Sequence, residues 1–143
     1  MSAFVLPAFS RSLQLSKNFA LSECVSRNDP WGWSELQSGW ATYGPRLFRL
    51  FNGIWQPARD HLGPITMTSV FRSRAHNQRI GGAKLSRHLE ADAGDGFPHA
   101  ASLPQLHAFL ATLPAVGGLA MGSGFVHADA RPRVGGQIVR WTY

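Results

Sequence analysis

A chain of 143 residues with 44% hydrophobic and 11% aromatic content is long enough for one packed core and too apolar to be disordered. Its single cysteine, Cys24, excludes an internal disulfide and any metal site built on several thiolates, so a metal here must take histidine and carboxylate ligands. The 14 Lys plus Arg against 8 Asp plus Glu give a net charge of +6, which points to an anionic partner, while the scatter of those basic residues argues against nucleic acid.

In chain order, the opening MSAFVLPAFSRS lacks a basic leader, and its short apolar stretch is broken by Pro7. Neither a secretory signal nor a membrane-spanning helix is expected, so synthesis in the cytoplasm is expected. Residues 1–45, rich in Ser, Asn, Gly and Trp, read as an arm with short turns packed on a single domain spanning 1–143. LSKNFALSEC offers a short helix with Ser22 as its cap. Trp31, Trp33 and Trp40 cluster in DPWGWSELQSGW. Exposed tryptophans stack on sugars or bases, but packing of the arm accounts for them without a ligand.

PRLFRLFNGIWQPARDHLG (45–63) is the clearest helix, with Leu47, Leu50, Phe51, Ile54, Ala58 and Leu62 on one stripe. A kink is expected at Pro57 and an end at Gly63. PITMTSVF (64–71) reads as a strand, and SRAHNQRI (73–80) as a short helix stopped by Gly81-Gly82. SLPQLHAFLATL (102–113) is a second helix, opened by a Ser102/Gln105 capping box. GGLAMGSGFVHADAR (117–131) and QIVRWTY (137–143) read as two strands, which a turn at Gly135-Gly136 would join as a hairpin. The sum is an α+β fold, a small antiparallel sheet with helices packed on one side.

Two stretches carry chemistry. SRHLEADAGD sets His88 and Asp95 seven apart in a run poor in core residues, and SGFVHADAR adds His127 and Asp129. On a strand, alternate residues share a face, so His127, Asp129 and Arg131 would line one wall. Two imidazoles and one carboxylate fill three positions of a tetrahedral zinc site and leave the fourth open, the pattern of a catalytic centre. A metal there lowers the pKa of water to about 7 and polarises a carbonyl. A lone histidine is more often a satisfied structural residue than a ligand, so spacing alone leaves both readings open.

FRSRAHNQRIGGAKLSRHLEADAGD together with GGLAMGSGFVHADAR resembles the zinc D-alanyl-D-alanine carboxypeptidases and related phage peptidoglycan endopeptidases, whose fold the hedgehog signalling domain shares. Ser86, His88, Ala93 and Asp95 match that family's Ser-x-His…Ala-x-Asp element in register. Phe71, Arg72 and Ser73 match upstream, as do Asn77, Gly81 and Gly82. Phe125, Val126, His127 and Asp129 match the last strand, and Arg140-Trp141 its close. LSKNFALSE and PARDHLG are similar to the opening of one subgroup, so the likeness covers nearly the whole chain.

The resemblance implies one zinc ion held by His88, Asp95 and His127. It places Arg72 on the scissile carbonyl oxygen or a substrate carboxylate, with Ser73, Ser86 and Arg131 as further substrate contacts. Several members carry Glu or Asp three residues before the last histidine, where this chain has Gly124. Asp129 is then the nearest acidic candidate for general base, or else the partner that orients His127 or Arg131. Ala91 replaces a family glycine, Gly96 stands where an apolar residue is usual, and Asp92 is an alternative ligand if the loop register shifts.

The implied activity is hydrolysis of peptidoglycan stem peptides by a monomeric endolysin-like endopeptidase or D,D-carboxypeptidase. It would act on the cell wall during phage lysis or from a virion. The alternative is an inactive, zinc-stabilised wall-binding or phage structural module. Among the other histidines, His107 and His61 read as helix residues, and His76 and His99 as solvated loop residues. Cys24 reads as an inert small hydrophobe.

Overall fold

The computed structural model describes residues 4–143. A short hairpin, β1 (Gln14–Ser16) and β2 (Phe19–Ala20), precedes helices α1 (Gly32–Ser38), α2 (Trp40–Leu50) and α3 (Gln56–Leu62), with a π turn at Phe51–Trp55 between the last two. Then come β3 (Ile65–Ser69), α4 (Arg74–Arg79), a 3-10 turn at Arg87–Glu90, β4 (Ala93–Pro98) and α5 (Leu103–Leu110). Strands β5 (Gly118–Met121), β6 (Val126–Asp129) and β7 (Val139–Thr142) complete the chain. No described helix is long and apolar enough to cross a membrane.

The main helix obeys its apolar periodicity. Leu47, Leu50, Phe51, Ile54 and Ala58 are fully buried. Helix extends further upstream than predicted, because Leu36 and Trp40 continue the buried stripe into a stretch whose polar composition reads as loop. Trp40 Nε1 donates to the Pro7 carbonyl at 2.8 Å, tying the N-terminal segment to α2. The kink expected at Pro57 is replaced by the π turn directly upstream. Pro57 itself falls in the first turn of α3, where its missing N–H leaves no bond unmade. Gly63 ends the helix at φ +87°, and α5 carries the Ser102/Gln105 capping box. The helix expected from Ser22 is a single 3-10 turn, Leu21–Glu23, in which Glu23 rather than Ser22 accepts a backbone N–H, that of Ala20, at 2.8 Å.

Five strands form one sheet in the order β3-β4-β6-β5-β7. Its pairs are antiparallel except β5 with β7, which run parallel. Two sequence expectations change here. GGLAMGSGFVHADAR is itself a hairpin, β5 and β6, so the turn at Gly135-Gly136 does not pair two neighbouring strands of the sheet. Both glycines have positive φ and close a local Val134–Gln137 bridge, after which β7 joins the far edge beside β5. The sequence predicts no strand in the metal-loop stretch, yet residues 93–98 form β4, an interior strand of the sheet.

The sheet's two faces divide the work. On β6, Val126 and Ala128 belong to the hydrophobic core, while His127 and Asp129 point to the opposite face. On β4, Gly94 and Gly96 face Trp55 and Met67. A Cβ on Gly94 would sit 2.6 Å from Trp55 Nε1 and 2.7 Å from Met67 Cε, and one on Gly96 3.1 Å from the Trp55 ring. The fully buried indole fills the space that side chains at these positions would take. Registry then aligns Ser69, Asp95, His127, Ala120 and Trp141 in one row across all five strands.

Candidate metal centre

Asp95 and His127 are cross-strand neighbours in that row, and His88 reaches them from the 3-10 turn that Ser86 caps by accepting the His88 N–H at 3.3 Å. The three residues are buried, and one donor atom from each lies within 4.8 Å of the other two. Asp95 Oδ1 is 2.8 Å from His127 Nδ1, and Asp95 Oδ2 is 3.3 Å from His88 Nε2. The imidazole rings meet edge to face, 5.2 Å between centroids.

The tautomers are set from outside the cluster. His88 Nδ1 lies 2.7 Å from the Val70 carbonyl, an acceptor only, so that nitrogen carries the proton and Nε2 presents a lone pair. His127 Nε2 lies 2.7 Å from Asp129 Oδ2 and donates to it, which leaves Nδ1 facing Asp95. Two imidazole lone pairs and a carboxylate thus converge, and such a set needs a cation between them. Separations of 2.8 and 3.3 Å are close to the ~3.3 Å edge of a tetrahedron with ~2.0–2.1 Å metal–nitrogen arms. The donor set fits a divalent metal ion.

Without a metal the cation is a proton. Burial alone would lower the His127 pKa, but its bonds to Asp129 and Asp95 outweigh burial and move it up. Burial would likewise raise Asp95, yet hydrogen bonds from His127 and His88 hold it down at about 2. Asp129 is also pulled far below the usual carboxylate range, against its burial, by His127 and Arg131.

Asp129 is fully buried and both its oxygens are occupied. Besides His127, it accepts from Arg131 Nε at 2.8 and 3.0 Å, Arg131 Nη2 at 2.7 Å and the Arg131 backbone N–H at 3.1 Å. It also sits on the Nε2 side of His127, away from the converging lone pairs. The geometry is that of a carboxylate orienting a ligand and pairing Arg131, and no lone pair is left to serve as general base. Arg131 in turn lies 4.6 Å over the Trp141 ring, which packs 5.1 Å from His127. Its guanidinium is committed to this stack rather than held free for substrate.

Arg72 is half-buried at the β3 end of the row, with Nη1 donating to Asn77 Oδ1 at 2.8 Å and Nη2 3.4 Å from Ser69 Oγ. It lines a cavity of about 310 Å³ with Ser69, Val70, His76 and Glu23. Ser73 is not available to a substrate. It is buried, its hydroxyl donates to Asp29 Oδ1 at 2.6 Å, and it accepts the His76 N–H as the cap of α4. Asp92 faces away from the cluster and pairs with Arg87, which excludes it as a ligand in this register. Ala91 has φ +58°, the lone described non-glycine residue at positive φ, a conformation that glycine adopts without the Cβ strain.

Sequence reasoning passed over Asp29, Val70, Gly118 and the cavity position of His76. Gly118 had a legible signal, a glycine inside a strand, which marks close approach. A Cβ there would lie 2.4 Å from both Asp129 oxygens and 2.5 Å from Arg131 Nε. Val70 acts through its carbonyl, which no side-chain pattern reveals.

Residues 32–129 match the sequence family described as Peptidase M15. The chain belongs to the M15 peptidases. That match agrees with the resemblance drawn from the motifs, and it contains all three members of the cluster, Arg72 and Asp129. The Arg131–Trp141 stack of this M15 peptidase lies beyond the matched span. No curated protein matches the chain at a significant level.

Proposed function

We propose that this M15 peptidase is a zinc enzyme hydrolysing amide bonds in the peptide stems of bacterial peptidoglycan, with His88 Nε2, Asp95 and His127 Nδ1 as the metal ligands. The observation that carries the reading is the convergence of two externally fixed imidazole lone pairs on one buried carboxylate. When bound, zinc supplies a Lewis acid that brings the pKa of water to about 7 and polarises the scissile carbonyl.

The protein's own residues do the positioning. Asp129 and Arg131 fix the His127 ring, the Val70 carbonyl fixes His88, and Asn77 holds the Arg72 guanidinium at the cavity beside the row. A planar, permanently charged fork at that place complements a developing oxyanion or a substrate carboxylate. The basic surface favours approach to an anionic wall, and the motif resemblance favours the stem peptide as substrate. An endolysin-like or virion-associated enzyme acting on the wall as a monomer fits these features.

The test is digestion of purified peptidoglycan, with released amino groups counted and muropeptides weighed by mass spectrometry. Wild-type protein releases new amino groups, and the product masses tell carboxypeptidase from endopeptidase action. His88→Ala loses bound zinc and turnover together. Absence of release by fully zinc-loaded protein, or full activity of a folded, metal-free His88→Ala, would reject the reading.

A further inference from the structure

We propose that a basic groove on the other face of the turn carrying His88 binds a phosphodiester-linked anionic polymer of the cell wall. The 3-10 turn Arg87–Glu90 sends His88 into the metal cluster and sends Arg87 and Glu90 into an open groove of about 530 Å³. Five cations line it, Arg46 and Arg49 from α2, Arg74 from α4, Lys84 and Arg87, against two acids, Glu90 and Asp92.

Both acids are already spent within the protein. Glu90 pairs with Arg46 at 3.0 Å and lies 3.8 Å from Arg74, and Asp92 is held by Arg87. Arg49 and Lys84 have no ion-pair or hydrogen-bond partner among the described residues, and both are exposed. The groove therefore carries three positive charges in excess, and the two cations without partners flank it from separate elements. Cations brought together from a helix and a loop, with no matching acids, raise the local concentration of a polyanion.

The lining contains no aromatic residue on which a base could stack, which sets it apart from single-strand nucleic-acid grooves. Guanidinium groups match phosphate oxygens in their fork geometry, and a flexible chain with one phosphate per unit suits an open groove of this size. The choice of a wall polymer rests on the peptidase reading, and it gives the groove a purpose: it would hold the enzyme on the wall beside the peptide it cuts.

The experiment measures binding of the whole protein, without turnover, to fluorescently labelled poly(glycerol phosphate) over a series of salt concentrations. An oligothymidylate of equal phosphate number is the comparison. The expected result is salt-sensitive binding of the polymer, tighter than that of the oligonucleotide. Joint Arg49→Gln and Lys84→Gln weakens it about ten-fold at low salt and reduces the slope of log Kd against log salt by between about 1 and 2. Joint Lys17→Gln and Arg27→Gln, an equal charge loss outside the groove, leaves the affinity close to wild type. Hydrolysis of small soluble muropeptides is unchanged in both variants, so failure of the peptidase reading shows separately.

Three results would overturn the proposal. They are unchanged binding by the groove variant, equal loss in the control variant, and oligothymidylate binding as tight as the polymer or tighter.

Discussion

Replacing Asp129 by Asn separates two roles that one carboxylate on β6 could fill. The substitution keeps the shape of a fully buried side chain but leaves one acceptor oxygen where two faced His127 Nε2 and Arg131. The Asn amide must then point its NH2 at one of those donors. If it faces His127, the ring turns over its tautomer and places the proton on Nδ1, the atom aimed at the metal. If it faces Arg131, a guanidinium only about a quarter exposed loses its counter-charge. Loss of such an outer partner costs about 10–100-fold in metal affinity, or ~1.4–2.7 kcal/mol. We expect zinc affinity, read by competition with a chromophoric chelator, to fall by that factor. Turnover at saturating zinc should fall far less. The reasoning is refuted if Asp129→Asn binds zinc like wild type while turnover at saturating zinc is abolished, for that is the signature of a lost general base.

Zinc titrated into metal-free protein near pH 6.5 should displace protons from His127, read by calorimetry in two buffers of different ionisation heat. The sign follows from the raised His127 pKa: its bonds stabilise metal-free protein fully below about pH 6.5, and that stability is lost as pH rises through the raised value. Chemical denaturation of metal-free protein across pH 6–9 should show the decline, and zinc-loaded protein should not. Gly94→Ala drives a methyl into the Trp55 ring and should cost about 1–3 kcal/mol, a Tm drop of roughly 3–12 °C by calorimetry. Gly124→Asp meets nothing within 4 Å and bears only the strain of φ +84°, about 1–2 kcal/mol. We expect it to fold and to raise kcat on stem peptides, and an unchanged kcat would show that proton transfer is already served elsewhere.

The parts of the molecule that announced themselves are those whose function is carried by side chains in a period. The Leu47–Ala58 stripe, the Ser102/Gln105 cap and the His127/Asp129 alternation all follow from helix or strand geometry acting on the residue itself. Strand β4 was hidden because its core-facing positions are Gly94 and Gly96. The apolar mass belonging there is supplied by Trp55, forty residues away along the chain, so the local sequence has no alternation to read. The parallel docking of β7 was hidden for a similar reason. A Gly-Gly turn specifies a reversal, and Val134–Gln137 makes one, but the neighbour that β7 chooses is decided by which sheet edge remains open once β5 and β6 have paired. Ser73 is closed to substrate because Asp29, a residue from a different segment, consumes its hydroxyl.

No acidic residue stands three positions before His127, where the chain has Gly124. Of the two carboxylates on the site face of the sheet, Asp95 lies among the converging donors and Asp129 is saturated by His127 and Arg131. Asp92, the remaining acid of the metal loop, is tied to Arg87 on the groove side of the turn. Strand β6 therefore brings charge that shapes the ligands but no free proton acceptor, and a side chain at Gly124 would enter open space. Across the row, the cavity wall beside Arg72 carries one acidic residue, Glu23. Glu23 is exposed there and uses one oxygen on the Ala20 N–H. The His76 ring lines the same cavity, where Nδ1 accepts from Arg79 Nη2 at 2.9 Å, so Nε2 carries the ring proton and is a donor. Gly124→Asp therefore adds a carboxylate on the strand side where the described acids are all engaged, and the change in kcat reads whether such an acceptor limits turnover.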